Sequence, residues 1–491
     1  MNFSNTYVTL GERFYQKSQP TPVSSPALLL WNKPLATQLD IPLALQENPD
    51  ELAQYFSGNR QFVGSEPIAT AYAGHQFGQF NPHMGDGRAH LLGEILDVEG
   101  KRWDLQLKGS GPSAYSRSGD GRCALGPALR EFIMSEAMKA LGVPTTECLA
   151  VVGTGESVYR QTPSPGAVVT RVASSHLRVG HFQYFAARGD TASLDALCQY
   201  AIERHFAEVF QTFPEKHQTG GNRYVALLDV VIERQIKLIT EWMRVGFIHG
   251  VMNTDNTAIS GDTLDFGPCA MMGVYDPLTV YSSIDRQGRY AFGNQAHIAH
   301  WNMARFAECL LSLVEESEQN IAEQLRSLIE GFASRFHQSY WQMMAGKFGL
   351  LSTQEGDEQF ISSLLTQLAE RKLDYTITFD LLSQSLLDDS AQARLSQELA
   401  SYFELWRERV LTEKASPEEI QASMRRYNPV LIPRNHHVEA VLKACEENGD
   451  ASAAQEFLEV LRQPYQENKH TRAFQSPAED KDQHYQTFCG T

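Results

Sequence analysis

Residues 249–267, HGVMNTDNTAISGDTLDFG, bear most directly on the fold and chemistry of this chain. His249 precedes Asn256 by seven residues, and the tripeptide D-F-G begins nine residues later, at Asp265. Amide and carboxylate oxygens are the hard ligands that Mg²⁺ prefers, and the ion usually keeps several waters beside them. The stretch therefore predicts a metal site formed by Asn256 and Asp265.

The same order of side chains occurs in protein kinases, in which H-x-D-x-x-x-x-N is the catalytic loop and D-F-G a metal-binding turn. Here Val251 holds the place of the kinase catalytic aspartate, and a carboxylate stands instead at Asp255. The residues leave three functions open: phosphoryl transfer without the usual base, other chemistry on a nucleotide, or nucleotide binding alone.

Apolar periodicity divides the chain into a β-rich first part and a helical second part. AHLLGEIL and RWDLQLKG, separated by the Glu99-Gly100 turn, predict two paired strands. The run from Ala128 to Leu141 has helical spacing, and VPTTECLAVVGTG and GAVVTRVA predict further strands. We expect an α+β fold of two lobes around a cleft, with a β-rich N-terminal lobe and a larger, mainly helical C-terminal lobe.

The expected limits are an N-terminal lobe over residues 1–190, a C-terminal lobe over 191–465 and a tail over 466–491. Residues 1 to about 60 have the pattern of an irregular lead-in with a short helix or two. A long amphipathic helix, DVVIERQIKLITEWMRVGF, leads into the opening motif. Further helices are predicted over residues 302–345, 357–371, 391–410 and 436–462.

The bulk composition excludes some classes of partner. The 491 residues include 42 Lys and Arg against 59 Asp and Glu, a formal net charge of −17. Since nucleic acids and anionic membranes bind clustered cations, we expect neither as a partner. No basic region followed by an apolar run opens the chain and no uninterrupted apolar run reaches membrane-spanning length, so a cytoplasmic location is expected.

Lys108 ends the predicted strand RWDLQLKG, and Glu131 lies in the helix that follows. Kinases use a strand lysine, paired with a helix glutamate, to contact nucleotide phosphates. Lys108 and Glu131 are the corresponding candidates, with Glu136 a weaker alternative partner. A lone strand lysine is otherwise an ordinary exposed edge charge.

Two copies of G-D-G-R flank Lys108. Glycines let backbone amides approach an anion, and arginine can clamp a phosphate. The alternative is a pair of simple β-turns, because D-G is a common turn dipeptide. Arg171 and Arg178 could likewise neutralise a polyphosphate or form ordinary salt bridges. The candidates in the two copies are Gly85, Asp86, Gly87, Arg88, Gly119, Asp120, Gly121 and Arg122.

Longer strings carry a family resemblance. GDGRAHLLGE, LQLKGSGPSAYSRSGDGR, REFIMSEAM, TRVASSHLRVGHF, VGFIHGVMNTDN, DFGP and MRRYNPVLIPRN resemble the selenoprotein O family, also called YdiU or UPF0061, over essentially the whole chain. The resemblance implies a protein-kinase-like fold, and a pseudokinase that binds ATP in a flipped orientation and transfers AMP to Ser, Thr or Tyr hydroxyls of proteins. Bacterial members are also described as UMP transferases that use manganese.

The resemblance implies roles for individual residues. Asp255 would be the proton acceptor, Asn256 and Asp265 would bind Mg²⁺ or Mn²⁺, and Lys108 would pair with Glu131. In a flipped nucleotide the α-phosphate meets the acceptor hydroxyl, so a base at Val251 would be misplaced. Nucleotide, ATP or UTP, would bind Gly85, Gly87, Arg88, Lys108, Asp120, Gly121, Arg171 and Arg178.

The expected activity is that of a protein nucleotidyltransferase that modifies protein hydroxyls and releases pyrophosphate. The alternatives are a conventional kinase with a displaced base and a catalytically inactive nucleotide-binding scaffold. Some members of the resembling family carry selenocysteine near the C-terminus, where this chain has Cys489. From position alone we hypothesise a reversible disulfide between Cys489 and Cys269, which closely follows the D-F-G.

Overall fold

In the computed structural model most strands precede residue 175 and most helices follow it; the structure describes residues 1–160, 162–212, 222–315 and 319–488. This arrangement confirms the predicted α+β fold with a sheet-rich N-terminal part and a mainly helical C-terminal part. The described strands are β1 (Tyr15–Lys17), β2 (Ala27–Trp31), β3 (Ile68–Gln76), β4 (Gln79–Gly85), β5 (Ala89–Leu96), β6 (Arg102–Lys108), β7 (Cys123–Ala124), β8 (Glu147–Tyr159), β9 (Pro163–Ala173), β10 (Phe247–Ile248) and β11 (Ala270–Met271).

Nine of the described strands form one antiparallel sheet in the order β1-β3-β5-β6-β9-β8-β2, with β4 on β3 and β7 on β9. The predicted β5–β6 pair is present, running from Ala89 opposite Lys108 to Leu96 opposite Arg102. On the other side of β6, Gln106 faces Arg171 of β9. Alternate residues of a strand share a face, so the register puts Lys108 and Arg171 on the same side of the sheet.

Helix α4 (Leu125–Ala140) covers that side of the sheet. It begins before the predicted start at Ala128, because Pro127 is tolerated in a first helical turn. Leu129 and Phe132 of α4 are buried in the larger core, whereas Leu105 and Leu107 of β6 belong to a second core on the opposite face. Both faces of the sheet are therefore covered, and α4 lies over the face from which Lys108 emerges.

The N-terminal segment contributes more regular structure than the predicted irregular lead-in. Strands β1 and β2 pair with β3 and β8 and form two edges of the sheet. Their short length and lack of strict alternation explain why the sequence pattern did not indicate them. Helices α1 (Lys33–Gln38), α2 (Leu43–Gln46) and α3 (Pro49–Phe56) follow, and α3 buries Leu52 and Phe56 in the second core.

The C-terminal part is helical as predicted, with several predicted helices divided in two. The described helices are α5 (Val179–Ala186), α6 (Thr191–His205), α7 (Ala207–Thr212), α8 (Asn222–Val245), α9 (Gln295–Leu311), α10 (Gln319–Lys347), α11 (Asp357–Glu370), α12 (Tyr375–Gln384), α13 (Asp389–Leu399), α14 (Ser401–Val410), α15 (Pro417–Arg425), α16 (Asn435–Asn448), α17 (Ser452–Leu461) and α18 (Lys469–Arg472). None of these helices combines the length and the apolarity needed to span a bilayer.

Two of the divisions have a local backbone cause. Ala400 has φ of 53° between α13 and α14, and Gly449 has φ of 72° after α16. A residue in this left-handed region ends a helix. The lobe limits at residues 190 and 465 stay predictions.

Candidate active site

A cavity of about 370 Å³ lies between the glycine-rich turns of the sheet and the stretch 249–267. This volume is within the range of small-molecule sites, roughly 300–1,000 Å³. Residues singled out from the sequence that line it are Gly85, Gly87, Arg88, Gly119, Asp120, Gly121, Arg122, Arg178, Asp255, Asn256 and Asp265.

The predicted lysine and glutamate are in contact behind this cavity. Lys108 Nζ lies 2.6 Å from Glu131 Oε2, and Arg171 Nε donates to Glu131 Oε1. The side chains of Lys108 and Glu131 are only 7% and 3% exposed, so each ion needs the other to offset its desolvation. Lys108 and Arg171 do not line the cavity itself. Glu136, the alternative partner, instead accepts a hydrogen bond of 2.6 Å from Asn32.

Asp265 connects this buried cluster to the cavity. Its Oδ1 lies 3.3 Å from Lys108 Nζ and 3.5 Å from Arg171 Nη2. Burial alone would raise the pKa of Asp265, but the charges of Lys108 and Arg171 lower it below its ordinary value. Its φ of 68° is in the left-handed region, which aspartate tolerates better than most residues. Asp265 therefore presents an ionised carboxylate to the cavity.

His249 and Val251 play structural parts. The His249 Nε2–H donates to the Leu264 carbonyl at 2.9 Å and so joins the two ends of the motif, while the Val251 N–H donates to Nδ1 at 3.3 Å. Burial lowers the pKa of His249, which leaves it neutral. The Val251 side chain is buried, and it offers no proton acceptor at the kinase position.

Asp255 lies in a single 3₁₀ turn, Thr254–Asn256, beside the cavity. Its Oδ2 accepts a hydrogen bond of 3.3 Å from Gln76 Nε2. Its Oδ1 is buried and has no hydrogen-bond partner among the described residues. Burial, partly opposed by the charge of Arg178, raises the pKa of Asp255 to about 6. A carboxylate that lines a cavity and has one unpartnered oxygen is suited to take a proton or to bind a cation.

Arg178 is fixed at the start of α5 by contacts on several sides. Its Nη1 donates to the Asp255 carbonyl at 3.0 Å, and the guanidinium lies 4.8 Å from the centre of the Tyr72 ring. Asp86, from the first G-D-G-R copy, lies 4.0 Å from Nη2. Asp86 itself accepts hydrogen bonds from the backbone and hydroxyl of Thr70. Asp86 thus supports the site from behind.

The glycines of the two G-D-G-R turns are needed for close packing. Gly85 has φ of 156°, and a β-carbon there would lie 2.3 Å from the Tyr115 ring. Gly121 has φ of 66°, and its β-carbon would lie 2.1 Å from the Gly111 carbonyl carbon. A side chain at either position would displace the loop from the cavity.

In the second G-D-G-R turn, both the arginine and the carboxylate make contacts outside the turn. Arg122 donates to the carbonyls of Thr21 and Pro22, which ties the second turn to the N-terminal segment. Asp120 accepts two hydrogen bonds from Arg160, at 2.8 and 2.9 Å. Asp120 therefore holds the guanidinium group of Arg160 at the cavity.

Several lining residues were missed by sequence reasoning. Tyr115 and Arg117 lie in the string LQLKGSGPSAYSRSGDGR, which carries part of the family resemblance, but neither was singled out within it. Arg160 follows β8 and Gln76 ends β3, and no local motif marks either. The missed lining residues are Tyr72, Gln76, Met84, Tyr115, Ser116, Arg117 and Arg160.

The donors at the cavity fit a metal ion that binds together with phosphates. In the described parts of the chain, no three His, Cys, Asp or Glu side chains form a ready-made ligand set. Asp255, Asn256 and Asp265 all face the same cavity, and Asp255 Oδ1 is unpartnered. Mg²⁺ commonly takes one or two carboxylates, several waters and the substrate phosphates. The set therefore suits a metal recruited with a nucleotide.

The predicted cysteine pair is only half described. Cys269 is buried and unpaired, and Cys489 lies outside the described residues. The nearby Thr487 Oγ1 donates to the Pro268 carbonyl at 2.7 Å, so the C-terminal tail passes beside the residue that precedes Cys269.

The fold and site define a class: a two-lobed α+β enzyme with kinase-type elements arranged around a nucleotide-sized cavity. A sequence model of the family described as "Protein adenylyltransferase SelO" matches residues 1–462. The chain belongs to this family, which confirms the resemblance seen in its motifs.

Curated relatives match the chain from end to end. The "Protein nucleotidyltransferase YdiU" of Teredinibacter turnerae is 49% identical over 491 residues, covering 100% of both chains. The protein of the same name from Pseudoalteromonas translucida is 48% identical over 492 residues, also covering 100% of both. That of Rhizobium rhizogenes is 47% identical over 495 residues, covering 100% of this chain and 97% of its own.

Proposed function

We propose that this protein transfers a nucleoside monophosphate, AMP from ATP in the first place, to hydroxyl groups of Ser, Thr or Tyr side chains in other proteins. The observation that carries the proposal is the position of Asp255. Asp255, whose Oδ1 is unpartnered, lines the cavity that Asp265 also lines, while the kinase base position holds the buried Val251. The names of the relatives and of the family support the same activity. UMP from UTP is the second nucleotide to be tested.

In the proposed reaction, the Asp255 carboxylate accepts the proton of the acceptor hydroxyl. The hydroxyl oxygen forms a bond to the α-phosphorus, the bond between this phosphorus and the α–β bridging oxygen breaks, and pyrophosphate leaves. Asp265 and Asn256 would hold Mg²⁺ or Mn²⁺, which when bound neutralises charge on the phosphate oxygens. Preorganised charge of this kind is usually the largest single contribution to such transfers.

The remaining predicted residues have distinct places in this proposal. Arg88 and Arg178 line the cavity and would bind phosphate oxygens. Gly85, Gly87 and Gly121 would bring backbone N–H groups close to the anion. Lys108 and Arg171 hold Asp265 from behind and add positive charge at that end, and Asp120 holds Arg160.

The test is a pair of labelling reactions with a generic protein acceptor and Mg²⁺ or Mn²⁺. ATP or UTP would carry the label at the α- or the γ-phosphate. Asp265→Asn, which tolerates the left-handed backbone, is the inactive variant, and Asp229→Asn on the surface of α8 is its matched control. We expect transfer of the α label only, lost in Asp265→Asn.

Other outcomes would contradict the proposal. Transfer of the γ label alone would make the protein a kinase with a displaced base. Transfer of neither label, together with nucleotide-dependent thermal stabilisation, would make it a binding scaffold. A cytoplasmic location stays a prediction from the sequence.

The Cys269–Cys489 disulfide stays a proposal with one supporting contact, that of Thr487 with Pro268. Burial raises the pKa of the Cys269 thiol to about 12, so Cys489 would attack oxidised glutathione first and release one glutathione, and Cys269 would then displace the second glutathione from Cys489 as the disulfide forms. After treatment with oxidised glutathione, mass spectrometry should find the linked peptides in the wild type and in a Cys445→Ser control, but not in Cys269→Ser. Their absence from the wild type would refute the pairing.

A further inference from the structure

The tip of the β3–β4 hairpin is hydrogen-bonded to the loop that carries Asp255. The His75 N–H donates to Thr254 Oγ1 at 2.7 Å, and the Phe77 N–H donates to Asn253 Oδ1 at 3.1 Å. These contacts join residues of the sheet to the loop across a large sequence separation. The hairpin therefore holds the loop directly, through the two residues on either side of Gln76.

Gln76 lies between these two contacts and reaches the carboxylate itself. Its Nε2 donates to Asp255 Oδ2 at 3.3 Å, and both side chains line the cavity. The neighbouring Gly74 limits the other oxygen, because a β-carbon there would lie 2.7 Å from Asp255 Oδ1. The carboxylate is thus fixed by a donor on one oxygen and by backbone packing at the other.

The other polar groups around Asp255 hold its surroundings. Arg178 donates to the backbone carbonyl of Asp255, and the Asn256 side chain donates to the Val251 carbonyl. Gln76 instead donates its side-chain hydrogen bond to the Asp255 carboxylate itself. An amide is a neutral donor, so it orients the carboxylate with a smaller loss of basicity than an ion pair would cause.

We infer that Gln76 is a positioning residue: through its hydrogen bond to Oδ2 it holds the Asp255 carboxylate in the orientation in which it accepts the proton of the acceptor hydroxyl. The inference rests on the proposed nucleotidyl transfer and adds to it a residue from the sheet side of the cleft. Gln76 acts through Asp255, so its loss should lower the rate of transfer and leave nucleotide binding intact.

The experiment is a double-mutant cycle with Gln76→Ala and Asp255→Asn, read out by transfer of the α label. Gln79→Ala is the matched control, because Gln79 pairs with Gln76 across the hairpin and is exposed. We expect Gln76→Ala to lower kcat by about 10- to 100-fold, since small misplacements of a reacting group have effects of this size. The nucleotide KM and the melting temperature should match those of Gln79→Ala.

In the Asp255→Asn background, Gln76→Ala should cause no further loss, because residues that act as one unit are not additive. Equal losses in both backgrounds, or a rise in KM with unchanged kcat, would overturn the inference. If the wild type transfers the α label and Gln76→Ala transfers it at the same rate, the inference is wrong and the proposed function stands. Absence of α-label transfer by the wild type would overturn both.

Discussion

The backbone of Gly74 packs directly against the carboxylate of Asp255, so closely that a β-carbon would lie 2.7 Å from Oδ1 and 2.9 Å from Cβ. Both distances are too short for real carbon contacts, so Gly74→Ala must displace Asp255 or the strand. We expect transfer activity to fall by about 10- to 100-fold, as for other misplaced catalytic groups. Gly331→Ala is the control, because Gly331 is helical and has open space around it. Near-normal activity in Gly74→Ala would contradict this contact.

Glu131 binds two cations, one through each carboxylate oxygen. Glu131→Ala leaves Lys108 and Arg171 buried with only Asp265 as an anionic partner. Removing one partner of a buried pair costs about 3–5 kcal/mol, and we expect a loss near the lower end because Asp265 remains. Chemical denaturation should show this, whereas Glu447→Ala, which removes an exposed helix pair with Lys443, should cost less than about 1 kcal/mol. Equal losses for the two variants would refute the role of burial.

Arg160 lies at the cavity, where Asp120 holds it with two hydrogen bonds. We expect Arg160→Ala to weaken nucleoside triphosphate binding about tenfold, because a hydrogen bond to a charged group contributes roughly 1.5–3 kcal/mol and this one is partly exposed. Isothermal titration calorimetry would measure the dissociation constant. Arg13→Ala, which removes an exposed ion pair with Asp190, should leave it unchanged. An unchanged constant in Arg160→Ala would remove this arginine from the phosphate site.

Glu136 makes stability depend on pH. Burial, and after it the negative charge of Glu147, raises the pKa of Glu136 from 4.5 to about 7. Below pH 4.5 the carboxyl is protonated in both the folded and the unfolded chain, so its burial costs no ionisation energy. As pH rises through 7 it ionises in the folded state too, and the full shift opposes folding by roughly 3 kcal/mol.

Glu136→Gln should therefore raise the free energy of unfolding at pH 8 and have little effect near pH 4.5. Urea unfolding at the two pH values measures the difference. The exposed Glu447→Gln serves as control, with no gain expected at either pH. A gain of equal size at both values would show that packing, and not ionisation, explains the effect.

Local sequence patterns were sufficient to predict the ion pair between Lys108 and Glu131. Strand β6 ends at Lys108 and α4 follows within the same stretch of chain, so the contact between Lys108 and Glu131 depends on near neighbours. The addition of Arg171 to this pair depends on the register of β6 with β9. That register is a long-range property, and the sequence left Arg171 equally compatible with an ordinary salt bridge.

The missed residues share a physical cause. Arg160 lies 40 positions from Asp120, and Gln76 lies 179 positions from Asp255. Neither belongs to a short motif, since each acquires its place only when the strands pair. The prediction of one continuous helix over residues 391–410 was wrong for a different reason. Ala400 ends a helix there with a positive φ, although alanine has the highest helix propensity. Gly449, by contrast, is an ordinary helix-ending signal.

Hydrogen bonds from His75, Gln76 and Phe77 to the loop 253–255 join the two sides of the cleft. Any movement that separates the hairpin from the loop must break these hydrogen bonds and release the Asp255 carboxylate. A movement that opened the cleft at this contact would therefore also free the Asp255 carboxylate from its hydrogen bond, so nucleotide exchange and proton transfer would take place in different conformations.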